Sequence, residues 1–189
     1  EKRDEIPTLL ETVYGNLAAV PGERNLLLYR TEVAQILYSR VMGENPSSAR
    51  GNQLPVESVT WMEAYQFVHR LGWILARPVD LPSREIYMSV LGKTDESLIR
   101  DNVWSSQNTD RETRTVGSSM PNQIGFFDLL GNVSEWLRTD DSTRPARVVA
   151  FGGSARDSFR RLSTVPEESR SATERNRFVG FRITVQMDD

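Results

Sequence analysis

The strongest constraint on this chain is the segment spanning residues 121–136, PNQIGFFDLLGNVSEW. It opens on a Pro-Asn turn signal, continues through an apolar run and bends again at Gly131-Asn132. Asp128 and Glu135 stand on either side of that second bend. Two carboxylates beside inward-facing carbonyls predict a cage for a hard cation such as calcium. The same residues also fit a tight loop in which polar side chains bond backbone groups, so both interpretations stay open.

Length and composition predict one compact globular unit. The 189 residues are 38% hydrophobic and 26% charged, which is typical of a chain that buries a core without disulfides. A net charge of -3 predicts no general nucleic-acid or anionic-membrane surface, and no apolar run is long enough to span a bilayer. Absence of cysteine leaves the compartment open between the bacterial cytoplasm and export. Because the chain starts at Glu1, we expect any targeting signal to lie outside it.

Local patterns predict helices in the first half and short strands in the second. Apolar spacing predicts a helix over residues 4–17, and the Thr60/Glu63 capping box starts another that runs to Gly72. Ser83 caps a third, which Gly92 ends. Short β-rich pieces follow at residues 103–104, 114–116, 124–127, 148–151 and 179–185. We therefore predict a loop-rich α+β fold with short antiparallel strands and two to three helices. A helical extension and lead-in (1–24) precedes the main domain (25–189).

Six segments resemble, in order, motifs of the formylglycine-generating-enzyme (sulfatase-modifying factor) family. They are LPVESVTWMEA (54–64), LPSREIY (81–87), TVGS (115–118), PNQIGFFDLLGNVSEW (121–136), RVV with GGS (147–154), and RSA with GFR (170–182). Together with a helix resembling the family's EVTxxxYxxVM, they cover about residues 31–185. The resemblance implies a C-type-lectin-like fold of the formylglycine-generating-enzyme type.

The family's chemistry has no counterpart among these residues. The resemblance implies a copper-dependent oxidase with two cysteines shortly after Gly-Gly-Ser, and those positions hold Asp157 and Leu162. The chain has no cysteine, and His69 is its single histidine, whereas iron enzymes on this fold use several histidines. We therefore expect a divergent member, a pseudoenzyme that binds no copper.

The resemblance also implies a calcium site at the Gly131-Asn132 bend. It assigns the side chains of Asp128 and Glu135 and the carbonyl groups of Gly131 and Val133 as ligands. The alternative is that these carboxylates bond arginine side chains or backbone amides.

Arginines are frequent after residue 155, where the resemblance implies that the family's substrate groove lies. One interpretation buries Arg170 and Arg182 as partners of carboxylates and leaves the others in solvent. The other predicts a basic pocket for an anionic group or an acidic peptide, with the candidate residues Asp157, Arg156, Arg160 and Arg175.

Two classes of function follow. The first is a non-catalytic module that binds a protein, a peptide or another ligand through the ancestral groove. The second is an enzyme of altered chemistry, which does not oxidise cysteine. The absence of cysteine and the single histidine favour the first, because they remove the usual nucleophile, base and soft metal ligands.

Overall fold

The computed structural model describes residues 2–140 and 145–188, without the side chains of residues 2–6 and 98. Most of the described helices lie in the first 100 residues: α1 (Lys2–Gly15), α2 (Gln35–Met42), α3 (Trp61–Leu75), α4 (Arg84–Leu91) and α5 (Glu96–Ile99). A short helix, α6 (Phe159–Leu162), follows in the second half. The predicted capping box starts α3, since the Thr60 side chain accepts from the Glu63 amide and the Glu63 side chain accepts from the Thr60 amide. Ser83 caps α4, which ends at Gly92 as predicted.

The first sheet joins the start of the domain to its end. Its strands are β1 (Leu17–Ala19), β2 (Leu26–Tyr29), β3 (Val79–Asp80) and β8 (Thr184–Gln186), in the order β1-β2-β8-β3 with every pair antiparallel. β8 thus lies between β2 and β3, and Leu27 and Val79 both pair with Val185.

The second sheet carries the motif segments. It consists of β4 (Ser134–Trp136), β5 (Arg147–Phe151), β6 (Glu167–Ser171) and β7 (Val179–Gly180), in the order β6-β5-β4-β7. β4 and β7 run parallel, and the other pairs are antiparallel. Because Glu135 is opposite Gly180 in this register, the 121–136 segment and the Gly-Phe-Arg segment lie side by side.

The core is made of two apolar clusters. One packs α1, α2 and α3 against the first sheet, and the other lies under α4, α6 and residues 126–130. Trp61 and Trp136 are fully buried in the first cluster, and their indole N–H groups donate to the carbonyls of Leu137 and Val59. Trp73 instead exposes 86% of its surface. None of the described helices is long and apolar enough to cross a membrane.

The prediction of a loop-rich α+β fold with short, mostly antiparallel strands is confirmed, although the described residues form six helices rather than two to three and three predicted strand pieces are corrected. Residues 114–116 and 124–127 form loops, and Trp104 makes only an isolated bridge to Gly131. The β-branched and aromatic residues of these two segments have no partner strand. Phe126 is buried, and Val116 and Phe127 are partly buried, but none of them belongs to a hydrogen-bonded sheet. The predicted charged loop at residues 138–147 falls partly outside the described residues.

Candidate functional site

The Gly131-Asn132 bend closes over a buried ion pair. The Arg182 guanidinium bonds both carboxylate oxygens of Glu135, at 2.6 Å and 2.7 Å, and both side chains are fully inaccessible to solvent. Arg182 also donates to the carbonyl of Phe127 at 3.0 Å. The arginine therefore ties β4 to the segment before the bend. Burial is the largest single influence on the pKa of Arg182 and lowers it, but the charges around the guanidinium and its hydrogen bond to Glu135 together raise the net pKa.

Two further carboxyl groups face this ion pair. Glu32 is fully buried, and its Oε1 accepts from the side-chain amide of Asn132 at 2.9 Å. Asp128 is 2% exposed and accepts from the Gly117 amide and the Ser119 hydroxyl, both at 2.6 Å. Oε2 of Glu32 has no hydrogen-bond donor among the described residues. We call Glu32, Asp128, Glu135 and Arg182 the buried ionic cluster.

The buried ionic cluster holds more negative than positive charge, and this determines its protonation. Burial raises the pKa of Glu32 well above its ordinary value, and the charges of Asp128 and Glu135 add to the effect. Burial also raises the pKa of Asp128, although Ser119 and Gly117 oppose this. When both are ionised, the carboxylates of Glu32 and Asp128 can only accept hydrogen bonds. A proton on Glu32 lets it donate a hydrogen bond to Asp128. The cluster therefore favours a proton on Glu32 more strongly than solvent does.

The four predicted calcium ligands are together at the bend, but the carboxylates have other partners. Both oxygens of Glu135 are bonded to Arg182, and both oxygens of Asp128 accept hydrogen bonds. Among the side chains that the structure describes, no three His, Asp or Glu are arranged to hold a metal ion. As arranged, the site does not fit a calcium ion unless Arg182 is displaced. Calcium binding stays a prediction, and the arginine alternative accounts for the Glu135 contacts.

The loop after Gly152 contains Asp157 and Leu162, the two residues that the resemblance places at the family's thiol positions. Gly152 and Gly153 have positive φ angles of 91° and 69°, and a Cβ on Gly152 would lie 2.8 Å from the Leu129 carbonyl oxygen. Asp157 accepts from the Ser154 amide at 2.8 Å and pairs with Arg161 at 2.8 Å. Leu162 is fully buried in the second apolar cluster. Asp157 thus fastens the loop, and Leu162 fills the core.

The four groove candidates separate into two kinds. Arg175 bonds Glu63 and the Ser58 carbonyl at the start of α3, and Asp157 is bound within its own loop. Arg156 lies over the Phe178 ring at 5.3 Å, and neither it nor the exposed Arg160 has a carboxylate partner among the described residues. Of the four candidates, Arg156 and Arg160 therefore present guanidinium groups without a carboxylate partner among the described residues, which an acidic ligand can bond directly.

Sequence reasoning missed Glu32 and Tyr87 as parts of the buried ionic cluster and its wall. Glu32 precedes a helix, where a carboxylate is ordinarily solvent-exposed, so no local signal marks it as buried. Tyr87 donates its hydroxyl to the Leu129 carbonyl at 2.8 Å, and its ring lies 5.4 Å from the Arg182 guanidinium carbon. A tyrosine within a predicted helix does not indicate from the sequence that its ring will pack against a buried arginine.

Comparisons with known proteins agree with this arrangement. Residues 15–187 match the sequence model of the sulfatase-modifying factor enzyme 1-like (FGE-sulfatase) domain. The structure of Treponema denticola variable protein 1 is similar, with a TM-score of 0.76 and 23% identity over 86% of this chain and 84% of that one. PvdO from Pseudomonas aeruginosa gives a TM-score of 0.70 at 15% identity, over 86% and 80% of the two chains.

A curated relative is the chaperone protein LppX of Paenibacillus barcinonensis, which is 23% identical over 56% of this chain. The match spans 59% of that relative's length. The family match covers most of the chain and includes the buried ionic cluster and the loop after Gly152. This chain therefore belongs to the sulfatase-modifying-factor (FGE-sulfatase) domain family.

Proposed function

We propose that this chain is a non-catalytic module that binds a protein or peptide. The main support for this proposal comes from the loop after Gly152. Leu162 is buried in the core there, and Asp157 is bonded to Ser154 and Arg161. Neither residue supplies a thiolate, and the whole chain has no cysteine to replace one. The name of the chaperone relative supports a role in binding protein.

The surface that we assign to binding consists of Arg156, which lies over the ring of Phe178, and the exposed Arg160. Both side chains are exposed, and the described residues offer them no carboxylate. Arg177 lies on the same ring at 4.8 Å but is bonded to Glu112. An acidic peptide would supply the missing partners for the first two arginines, through charge-assisted hydrogen bonds.

The catalytic part of the proposal is tested with a cysteine-containing sulfatase-type peptide. The purified protein, supplied with Cu(I) and oxygen, should form no aldehyde above the level of a protein-free control, measured by mass spectrometry. Aldehyde that accumulates in proportion to the protein concentration would overturn the assignment as non-catalytic. It would favour the enzyme alternative instead.

The binding part is tested by fluorescence anisotropy with a labelled Glu-Gly repeat peptide. Arg156→Glu with Arg160→Glu should weaken binding at least tenfold, since two attractive contacts become repulsive. Arg40→Glu with Arg50→Glu makes the same change of charge on exposed residues elsewhere and should have little effect. Equal losses in the two double variants would show only nonspecific attraction, and unchanged binding in the first would exclude this surface.

A further inference from the structure

A cavity of about 570 Å³ opens beside α4, apart from the Arg156 surface. It lies between the end of α4, the start of the 99–103 segment and residues 120–130, and shares no residue with that surface. Its size is within the range of ligand-binding cavities. Apolar side chains make up most of its wall, among them Leu91, Ile99, Val103, Phe126 and Leu130. We name it the α4 cavity.

The mouth of the α4 cavity is apolar and exposed. Met120 exposes 62% of its surface and Ile124 exposes 45%, although both line the cavity. Scattered apolar side chains are normal on a protein surface, but these two border one opening. Methionine also adapts its shape to varied partners. This combination favours an apolar ligand that enters from solvent.

Charge narrows the chemistry of that ligand. Lys93 and Asp128 are the two charged residues that line the cavity. Asp128 is 2% exposed and already accepts two hydrogen bonds, whereas Lys93 is exposed and makes no hydrogen bond or ion pair with any described residue. Lys93 is therefore the available charge, and it selects a ligand with a negative group beside its apolar part.

Polar groups on the wall distinguish a peptide from a hydrocarbon chain. The side chains of Thr94 and Gln123 line the cavity and form no hydrogen bond with the part of the chain that the structure describes. An acyl chain would remove them from water without compensation, which is unfavourable. Peptide amide groups would bond to both. We propose that the α4 cavity binds a peptide segment of a partner protein, with large apolar side chains inside and a neighbouring acidic residue on Lys93.

The test uses a fluorescein-labelled peptide, Leu-Phe-Leu-Glu with blocked ends, and its Lys counterpart. We expect the Glu peptide to bind at least tenfold more tightly than the Lys peptide, and Lys93→Glu to reverse that preference. Ile124→Ser should weaken binding, whereas Ile74→Ser, at a residue of similar exposure on α3, should not. A Lys93→Glu protein that still prefers the Glu peptide overturns the proposal.

Chemical labelling gives a second readout, because Lys2 and Lys93 are the two lysines of the chain. Bound peptide should slow acetylation of Lys93 while that of Lys2 stays constant, as measured by mass spectrometry. Protection of Lys93 by decanoate but not by the peptide would make the cavity a lipid site and overturn the proposal. This inference rests on the proposed binding function, but it concerns a different surface.

If no peptide binds at the α4 cavity while Arg156→Glu with Arg160→Glu still weakens binding of the Glu-Gly peptide, this inference fails and the proposed function stands.

Discussion

The bend at Gly131-Asn132 and the loop after Gly152 both match family motifs, and they differ in what they retain. At the bend, the carboxylates remain and are buried with Arg182. In the loop, the two glycines have positive φ angles, and the residues at the positions that the resemblance assigns to thiols serve core packing and local hydrogen bonding. The contacts that hold each region are structural, and neither region contains a thiol. The comparison shows two ways of fixing a loop: a buried ion pair at the bend, and local hydrogen bonds with core packing after Gly152.

The largest expected effect is on the ion pair at the bend. Arg182→Met leaves Glu135 buried without its counter-charge and should destabilise the protein by about 3–5 kcal/mol, or prevent folding. Arg84→Met removes an ion pair to Glu167 whose side chains are 56% and 41% exposed, so it should cost about 1 kcal/mol or less. Urea unfolding of both variants gives the comparison. Similar losses of unfolding free energy in the two variants would mean that burial does not strengthen the contribution of the Arg182–Glu135 pair to stability.

The next largest effect is expected where the backbone of Gly131 packs closely against the backbone of Trp104. A Cβ on Gly131 would lie 2.2 Å from the Trp104 carbonyl oxygen, at a φ of 80°, so Gly131→Ala should cost about 2 kcal/mol or more. Gly43 has a φ of 82° with open space around it, and Gly43→Ala should cost only about 1 kcal/mol. Thermal unfolding measures both. If Gly43→Ala is the more damaging change, close backbone approach is not the constraint.

A smaller effect is expected from the proton in the buried ionic cluster. The pKa of Glu32 is raised by burial, so the native state holds its proton more tightly than the unfolded chain does. Stability should therefore fall as the pH rises above the ordinary value of 4.5 and through the raised native pKa. Glu32→Gln keeps an acceptor for Asn132 and supplies a donor for Asp128. It should be more stable than the wild type at pH 8, and the difference should shrink towards pH 4.5.

Urea unfolding of wild type and Glu32→Gln across this pH range measures the difference. Glu168→Gln, at a residue in exposed ion pairs on β6, is the control and should leave the pH dependence nearly unchanged. A Glu32→Gln protein whose stability parallels that of the wild type at every pH would show that Glu32 is ionised in the native state.

The smallest effect is expected from calcium. With Arg182 on Glu135, saturating calcium should leave the melting temperature unchanged, and a chelator should do the same. If the predicted calcium site forms instead, calcium at about 100 times its Kd would add roughly 2.7 kcal/mol of stability. In that case Asp128→Asn should abolish the stability gained from calcium. Calcium, and not Arg182, would then compensate the carboxylate charges at the bend.

Local signals predicted the parts of the fold that depend on neighbouring residues. Thr60, Glu63 and Ser83 act within one helical turn, so their capping roles were readable from the sequence. The strands β4 and β6 were missed, because Ser134–Trp136 and Glu167–Ser171 lack the usual apolar alternation and form through their partner strands.

The buried ionic cluster was predictable only as a set of alternatives. Arg182 and Glu135 are 47 residues apart, and the sequence left open whether the carboxylate meets an arginine or a cation. Glu32 and Asn132 are 100 residues apart, and nothing near Glu32 indicates burial. Contacts of this range depend on the register of whole sheets, which a residue pattern does not specify.

The position of β8 between β2 and β3 has a consequence for biosynthesis. Both neighbouring strands leave the ribosome long before Thr184–Gln186, and Arg182 reaches Glu135 only at that late stage. Until then, the nascent chain carries open strand edges and an uncompensated acidic interior, which are states that associate with other chains. We expect stalled nascent chains that end before residue 182 to be protease-sensitive and dependent on holdase chaperones, and chains extended past residue 186 to become resistant.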